Sequence, residues 1–320
     1  MAQLGVLGLS ALLVMSTFNT ADAAVGRRGF TSGSGILSLN GTENSANLKE
    51  SGGGDIEAPV VSFSTGSTSP VQKTIGSYSI SDLDFGFSTG FSKSLSNLLQ
   101  TFIQGQQATS TNYSVLNCDL NQKLVEELKY QDGLITQFIF PALDATSKEQ
   151  AIFGLKFSAQ QVQTMKASGG NCPVTTGKEK PAQASTFKID IPGIDTSGVI
   201  SVSPIVFDQK LALASTGGSR TVIKVPGKFE IGNFEITVAE NKAADFQKWF
   251  TDFVINGIAG SSDEKTVTIS LLDPSLKKTF ISLTLNQVGI FKAAKSDRNS
   301  AGQSISTVTY SFYAETAQIK

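Results

Sequence analysis

The chain has 320 residues with 26 basic and 27 acidic side chains, and its net charge of -1 leaves no strong field to gather nucleic acid or anionic lipid. Charged residues make up 17%, below the roughly 25% of ordinary soluble proteins, while 39 Ser and 29 Thr supply hydroxyls instead. Histidine is absent, which excludes Ser-His-Asp, Cys-His and His-based zinc sites within this chain. Carboxylate-pair, Ser-Lys and oxygen-ligand calcium sites stay open on composition alone, and a hydrolase with paired carboxylates is a remaining alternative. The expectation is a non-enzymatic protein with no cofactor, no metal site and no nucleic-acid partner.

The N-terminus has the pattern of an export signal. Residues 4–15 are a nearly unbroken apolar run, and Ala21 and Ala23 form an A-x-A cleavage motif. The run is shorter than the roughly 20 residues of a membrane span, so no span is expected after cleavage. We predict a signal peptide over residues 1–23 and a secreted, extracellular or periplasmic protein. The alternative is a buried hydrophobic N-terminal helix.

The two cysteines, Cys118 and Cys172, both follow the predicted signal. An oxidising compartment favours a disulfide between them, and the alternative is a pair of free buried thiols. Asn40 and Asn112 begin N-x-S/T sequons and are candidate glycosylation sites if the source is a eukaryote.

Two stretches of biased composition divide the mature chain. Residues 24–55 are rich in Ser and Gly with a weak apolar patch at Ile36, Leu37 and Leu39, which indicates a flexible arm. Gly, Pro and Lys recur over residues 169–185, which indicates a linker. These stretches delimit one domain at 56–168 and a second at 186–320.

The second domain shows strand patterns around one clear helix. Phe246, Trp249, Phe250, Phe253 and Val254 follow helical spacing, and an Asn-Gly pair ends the run. Alternation of apolar and polar residues predicts several strands before this helix and three after it, an antiparallel barrel or sandwich.

The first domain repeats this order. The apolar stripe of its helix matches that of the second helix at a constant offset of 151 residues. Short strand patterns before and after the helices also match. After the helices, the apolar alternation of Phe153 to Phe157 corresponds to that of Ile281 to Leu285. The prediction is an internal duplication whose first copy carries an insertion near 112–134 with a helix over 124–130. The alternative is a loose alignment of two unrelated small domains.

Lys224, Pro226 and Gly227 form a K-x-P-G segment just before a strand pattern, and the helix beginning at Asp245 and Phe246 has the pattern D-F-x-x-W-[FW]. With these two motifs in this order, residues 186–314 resemble the T4-type phage tail tube proteins. Residues 56–168 form a weaker second copy. The resemblance, which extends to the tube subunits of type VI secretion, implies a six-stranded β-barrel with one helix per unit. Family members form hexameric rings that stack into a hollow tube and have no catalytic residues.

We therefore expect a mainly β protein of two tandem tail-tube-type barrel or sandwich domains. The expected function is structural: a subunit that self-assembles into rings, tubes or filaments outside the cytoplasm, with three copies giving a six-domain ring. The arm at 24–55 is expected to pack on an adjacent subunit, although a disordered tail is the alternative. The competing functional class is a monomeric secreted module that binds a glycan or a protein. Gly86 to Gly90 match the G-x-S-x-G nucleophile elbow, but the motif needs a histidine that this chain lacks.

Overall fold

Strands dominate the molecule, and this confirms the expected mainly β class. The structure, a computed structural model, describes residues 34–39, 43–64, 66, 71–106, 110–166, 170–173, 181–214, 223–296 and 306–320. Of these, 58% are strand and 11% helix. The predicted signal peptide and Asn40 lie outside the described residues.

The first half of the chain forms a closed antiparallel barrel with one helix, α1 (Lys93–Ile103). Six strands pair in the order β2-β7-β11-β9-β8-β1, and β1 pairs again with β2 to close the ring. The strands of this half are β1 (Ser34–Leu39), β2 (Ala46–Gly53), β3 (Ile56–Glu57), β4 (Val60–Phe63), β5 (Gln72–Ile75), β6 (Ser79–Ile80), β7 (Leu83–Phe87), β8 (Thr111–Cys118), β9 (Leu124–Phe140), β10 (Leu143–Asp144), β11 (Phe153–Ser158) and β12 (Gln161–Lys166).

The second half forms an antiparallel sheet in the order β14-β17-β20-β19-β18-β13, with β10 added beside β14. Its helix α2 (Ala244–Phe250) continues as a π-helical turn, Thr251–Ile255, and follows a 3-10 turn, Glu240–Lys242. The strands are β13 (Phe187–Asp190), β14 (Val199–Val202), β15 (Ile205–Ala214), β16 (Ile223–Ile231), β17 (Phe234–Ala239), β18 (Lys265–Leu272), β19 (Thr279–Lys295) and β20 (Thr307–Ile319).

One hairpin of the second half belongs to the sheet of the first. Strands β15 and β16 pair with each other, and β15 pairs antiparallel with β9, so the two halves share a sheet. Residues Ser32–Lys320 accordingly cluster as a single compact unit with a common hydrophobic core. The linker predicted at residues 169–185, and the domain boundaries that it sets, remain a prediction. The two halves of the chain share a sheet and a core and are not separate bodies.

The two halves have the same strand-pairing order. Reading each sheet in order, β2, β7, β11, β9, β8 and β1 correspond to β14, β17, β20, β19, β18 and β13. Each helix follows the second strand of its series, β7 or β17. Both long strands also carry a non-glycine residue in the left-handed region at the same place, Asp132 at φ 52° and Gln287 at φ 52°. The next residues, Gly133 and Val288, each pair with the first residue of the preceding strand.

This correspondence corrects two predictions about the first half. Residues 112–134 are not an insertion, because they form β8 and the start of β9, the counterparts of β18 and β19. Residues 124–130 are strand rather than helix, because β8 and β12 pair with them from both sides and satisfy their backbone groups. Phe153 to Phe157 accordingly lie in β11, the counterpart of β20 and not of β19.

The predicted flexible arm is also wrong for the residues that the structure describes. Residues 34–39 and 46–53 form β1 and β2, two of the paired strands of the first barrel. Ile36, Leu37 and Leu39 are buried in their own chain, so they are not free to pack on another subunit. Their apolar surface is the reason that a Ser/Gly-rich sequence becomes ordered here.

The helical stripes predicted from sequence do face the core. In α1 the apolar residues Leu95, Leu99, Phe102 and Ile103 are buried, and Ser92 caps the N-terminus because its hydroxyl accepts a hydrogen bond of 3.2 Å from the backbone N–H of Leu95. In α2 and the turn after it, Phe246, Trp249 and Phe253 are buried in the same manner, but Val254, the last residue of the predicted stripe, is 42% exposed.

Phe153 is a central packing residue of the first barrel. Its ring lies 5.6 Å from Phe140, 5.8 Å from Phe87 and 6.1 Å from Phe138, and the side chain is fully buried. Aromatic contacts at these separations add to the energy of burial.

We expect Phe153→Ala to lower the free energy of unfolding by about 3–5 kcal/mol, because it leaves a cavity among these rings. Chemical denaturation of the purified protein measures this. Leu120→Ala is the control, since Leu120 is 75% exposed and its truncation is expected to change stability by no more than about 0.5 kcal/mol. Equal effects of the two substitutions would contradict the packing described for Phe153.

Candidate assembly surface

The seam between the two halves is a strand pairing. In it Ile205, Val206 and Phe207 of β15 lie opposite Phe140, Ile139 and Phe138 of β9. The next pair joins side chains as well, because the amide of Gln137 donates a hydrogen bond of 2.7 Å to the carboxylate of Asp208. Phe207 and Phe138 are both fully buried. The seam thus combines backbone pairing with apolar burial.

A second contact of the seam joins β16 to the helix α1. Phe229 meets Phe102 edge to face with ring centroids 5.5 Å apart. Gly105, at φ +65°, ends this helix directly under Phe229, and a Cβ there would lie 3.1 Å from that ring. The glycine therefore provides both the left-handed conformation and the close approach.

A lysine of β16 completes the seam. The ammonium of Lys224 donates hydrogen bonds to the hydroxyl of Ser158, at 2.7 Å, and to the backbone carbonyl of Ile80, at 3.3 Å. Partial burial lowers the pKa of Lys224, and the carboxylate of Asp82 opposes that shift.

In the part of the chain that the structure describes, β19 has an unpaired edge at the position that corresponds to the edge of β9 covered by β15. Strand β18 accompanies β19 only as far as Val288, and β20 occupies the other side of β19 throughout residues 289–295. Among the described residues no strand pairs with the remaining edge of 289–295. Phe291 is 42% exposed there, and Lys292 and Lys295 are also exposed. At the equivalent positions of β9, residues 134–140, most side chains are buried, and β15 pairs with residues 137–140.

The first half presents an exposed apolar hairpin. Strands β3 and β6 form its base, and β4 and β5 form its outer part. Large apolar side chains that are 44% to 69% exposed line it: Ile56, Val60, Val61, Phe63, Val71 and Ile75. An exposed cluster of this kind is typical of a surface that binds another protein.

Sequence reasoning missed this hairpin, because its short apolar runs are separated by Gly, Ser and Pro and resemble a loop. The usable signal is the short β-branched and aromatic run from Val60 to Phe63, which a Ser/Thr/Gly/Pro-rich stretch separates from a second short run ending at Ile75.

Two cavities accompany the helices. One of about 100 Å³ lies between α1 and the barrel and is lined mainly by apolar residues, including Leu98, Phe102 and Phe157. Another of about 340 Å³ lies beside α2, with Trp249, Phe253 and Lys265 in its lining. The first is well below the few hundred Å³ of small-molecule sites, and the second is at their lower end.

The predicted disulfide is present between Cys118 and Cys172, with their Cα atoms 6.3 Å apart. Both cysteines are buried with Ile36 and Leu116 in a small apolar cluster of their own. The backbone N–H of Cys172 donates a 2.8 Å hydrogen bond to the carbonyl of Gln122. This hydrogen bond and the disulfide hold residues 170–173 of the predicted linker against the end of the barrel.

The other sequence-predicted positions have simple surroundings. Asn112 is exposed at the start of β8, and its side-chain oxygen accepts a hydrogen bond of 3.2 Å from the backbone N–H of Asp132. Ser88 of the G-x-S-x-G match is buried, and its hydroxyl makes no hydrogen bond within the part of the chain that the structure describes. In that same part, no group of three or more His, Cys, Asp or Glu side chains could hold a metal ion. The described helices include none that is long and apolar enough to cross a bilayer.

Residues 183–317 match the family described as T4-like virus tail tube protein gp19, which confirms the resemblance of this half. The anti-feeding prophage tube-terminating cap is a similar solved structure, 17% identical, covering 47% of this chain and 100% of its own at a TM-score of 0.38. The sheath–tube complex of an extracellular contractile injection system (PVC, extended state) is 16% identical, with coverages of 47% and 100% and a TM-score of 0.38. Hcp1 from Flavobacterium johnsoniae is 16% identical, with coverages of 42% and 94% and a TM-score of 0.29. A search of curated proteins found no match.

Loss of the disulfide is expected to destabilise the protein. The cysteines are 54 positions apart, and in the chain-entropy model closing a loop of that size contributes about 4 kcal/mol. We expect the Cys118→Ser, Cys172→Ser double variant to lose about that much free energy of unfolding, measured by denaturant titration. Reduction of the wild-type protein should produce the same loss, whereas a non-reducing peptide map that shows two free thiols would contradict the bond.

Tyr313 is expected to make the stability of the protein depend on pH in the alkaline range. Its ring packs over Gly289, where a Cβ would lie 2.2 Å from it, and its hydroxyl donates a 2.9 Å hydrogen bond to Glu264. Burial, and then this bond to a carboxylate, raises the pKa of Tyr313 to about 12.

Because folding raises the pKa of Tyr313, its contribution to stability is present below the unfolded value of about 10 and is lost as the pH rises to about 12. We expect the free energy of unfolding to fall over this window, and Tyr313→Phe to reduce the slope. Burial also raises the pKa of Tyr130 and Tyr310, so part of the slope should remain. Identical slopes for the variant and the wild type would contradict the assignment.

Proposed function

We propose that the protein is a non-enzymatic structural subunit that self-assembles into rings, tubes or filaments outside the cytoplasm. The observation that carries the proposal is the match of residues 183–317 to the tail tube family. The open strand edge of β19 and the exposed apolar hairpin support it, because such surfaces are ready templates for another chain.

We further infer that the chain contains two tube-type units that arose by duplication. The equal pairing order of the two sheets supports this, as do the matching left-handed residues Asp132 and Gln287. If a ring of six units is formed, as in the family that the sequence resembles, three copies of this chain would complete it.

Assembly outside the cytoplasm agrees with the predicted signal peptide and with the disulfide. Structural disulfides persist mainly in oxidising compartments, and Cys118–Cys172 is buried within the fold. Glycosylation of Asn112 stays a proposal that depends on the source of the protein.

Light scattering and negative-stain microscopy of the mature protein, residues 24–320, test the function. We expect the molar mass to rise with concentration to a multiple of three chains and the images to contain rings or tubes. The interaction is expected to persist in moderate salt, because the exposed hairpin is apolar. A monomer at every concentration would overturn the proposal and favour a monomeric module that binds a glycan or a protein.

A further inference from the structure

We infer that the exposed hairpin of one copy pairs with the open edge of β19 in a second copy, residues 54–57 lying antiparallel to residues 292–295. This inference rests on the proposed self-assembly and identifies its contact surface. The contact would repeat between chains the pairing that β15 makes with β9 within one chain.

The hairpins of the two halves have the same internal register. Ile56 pairs with Ile80 and Glu57 with Ser79 in the first half, just as Phe207 pairs with Ile231 and Asp208 with Glu230 in the second. The agreement extends outward, since the pair Val60–Ile75 corresponds to Leu211–Pro226. Each pair of the first half precedes its counterpart by 151 positions, so Ile56 and Glu57 are the equivalents of Phe207 and Asp208.

The receiving strands match as well. Both β9 and β19 have a bulge against the following strand of the barrel, at Thr136 and at Phe291. Counting onward from these bulges, Gln137 and Phe138 are the equivalents of Lys292 and Ala293. In β9 these residues pair with β15, whereas in β19 no strand among the described residues pairs with them on this edge.

Transferring the register places Ile56 opposite Ala293 and Glu57 opposite Lys292. The second pair joins opposite charges at the position where Gln137 and Asp208 form their 2.7 Å hydrogen bond within the chain. Both Glu57 and Lys292 are exposed in the single chain, and Ile56 is 57% exposed. The interface thus offers backbone hydrogen bonds, apolar burial and charge complementarity together.

The helix side of the seam has a free counterpart too. Gly105 of the first half lies under Phe229, but Gly257, at φ +70° after α2, has no atom of the described residues within 4 Å of the position of a Cβ. Tyr78 of the hairpin is the equivalent of Phe229, because the strand residues before and after it, Ile75 and Ser79, are the equivalents of Pro226 and Glu230. Tyr78 of the copy that provides the hairpin, which is only partly buried in the single chain, is therefore expected to lie in the open space at Gly257 of the second copy.

Charge exchange tests the pairing. Glu57→Lys or Lys292→Glu alone places like charges opposite each other, and we expect each to weaken association at least tenfold in light scattering. The double variant restores opposite charges and is expected to recover most of the affinity. The matched controls are Glu149→Lys and Lys148→Glu, which make the same charge changes at exposed positions outside the hairpin and β19 and should leave association unchanged. Equal thermal midpoints for all variants establish that they fold.

Cysteine cross-linking provides a second reading that does not depend on affinity. Mixing Ile56→Cys chains with Ala293→Cys chains should give a linked dimer on mild oxidation, because directly opposed strand residues lie within disulfide range. Ala294→Cys is the register control and should link poorly, since its side chain faces the other side of the sheet.

The outcomes separate this inference from the proposed function. Rings that form normally with either single charge variant, together with no link between the Ile56→Cys and Ala293→Cys chains, would overturn the pairing and leave the structural function standing. A wild-type protein that stays monomeric, with cysteine variants that do not cross-link, would overturn both.

Discussion

Backbone pairing between β9 and β15 is the interaction on which the arrangement of this molecule depends. It covers the part of β9 that extends past β8, buries Phe207 against Phe138 and joins both halves into one sheet. An edge left open at this point would expose N–H and C=O groups beside large apolar side chains. The second half has the same long strand, β19, but no strand among the described residues covers the equivalent edge, and this asymmetry between equivalent positions distinguishes the two halves.

Local patterns predicted the parts of the fold that depend on periodicity. The stripes of α1 and α2 could be located because helical spacing marks Leu95 to Ile103 and Phe246 to Val254 without knowledge of their partners. The segment from Lys224 and the helix from Asp245 carried the family resemblance, which the match over residues 183–317 confirms. The cysteines could be paired because only two were present.

Features that depend on distant pairing could not be predicted in this way. Residues 124–130 have an apolar spacing that suits a helix, and only β8 and β12 on either side make them strand. Ile36, Leu37 and Leu39 looked like a weak patch in a polar arm, yet they close a barrel whose other strands lie far along the chain. The assembly surface was missed for the same reason, since the strands of Ile56 and Phe291 each have one partner strand, and only their second edge is unpaired within the described chain.

The covalent link between the two halves changes how an assembly of this kind would form. With β15 already seated on β9, every second contact of a ring built from two-unit chains is made during folding and is not a separate association event. Tethered partners meet at effective concentrations that reach the millimolar range for short connections, far above those of free subunits. Only the contact between chains would then weaken on dilution. Because the hairpin of one chain binds a different surface, the edge of β19, on the next chain, all chains point in the same direction, and a growing assembly has two unlike ends.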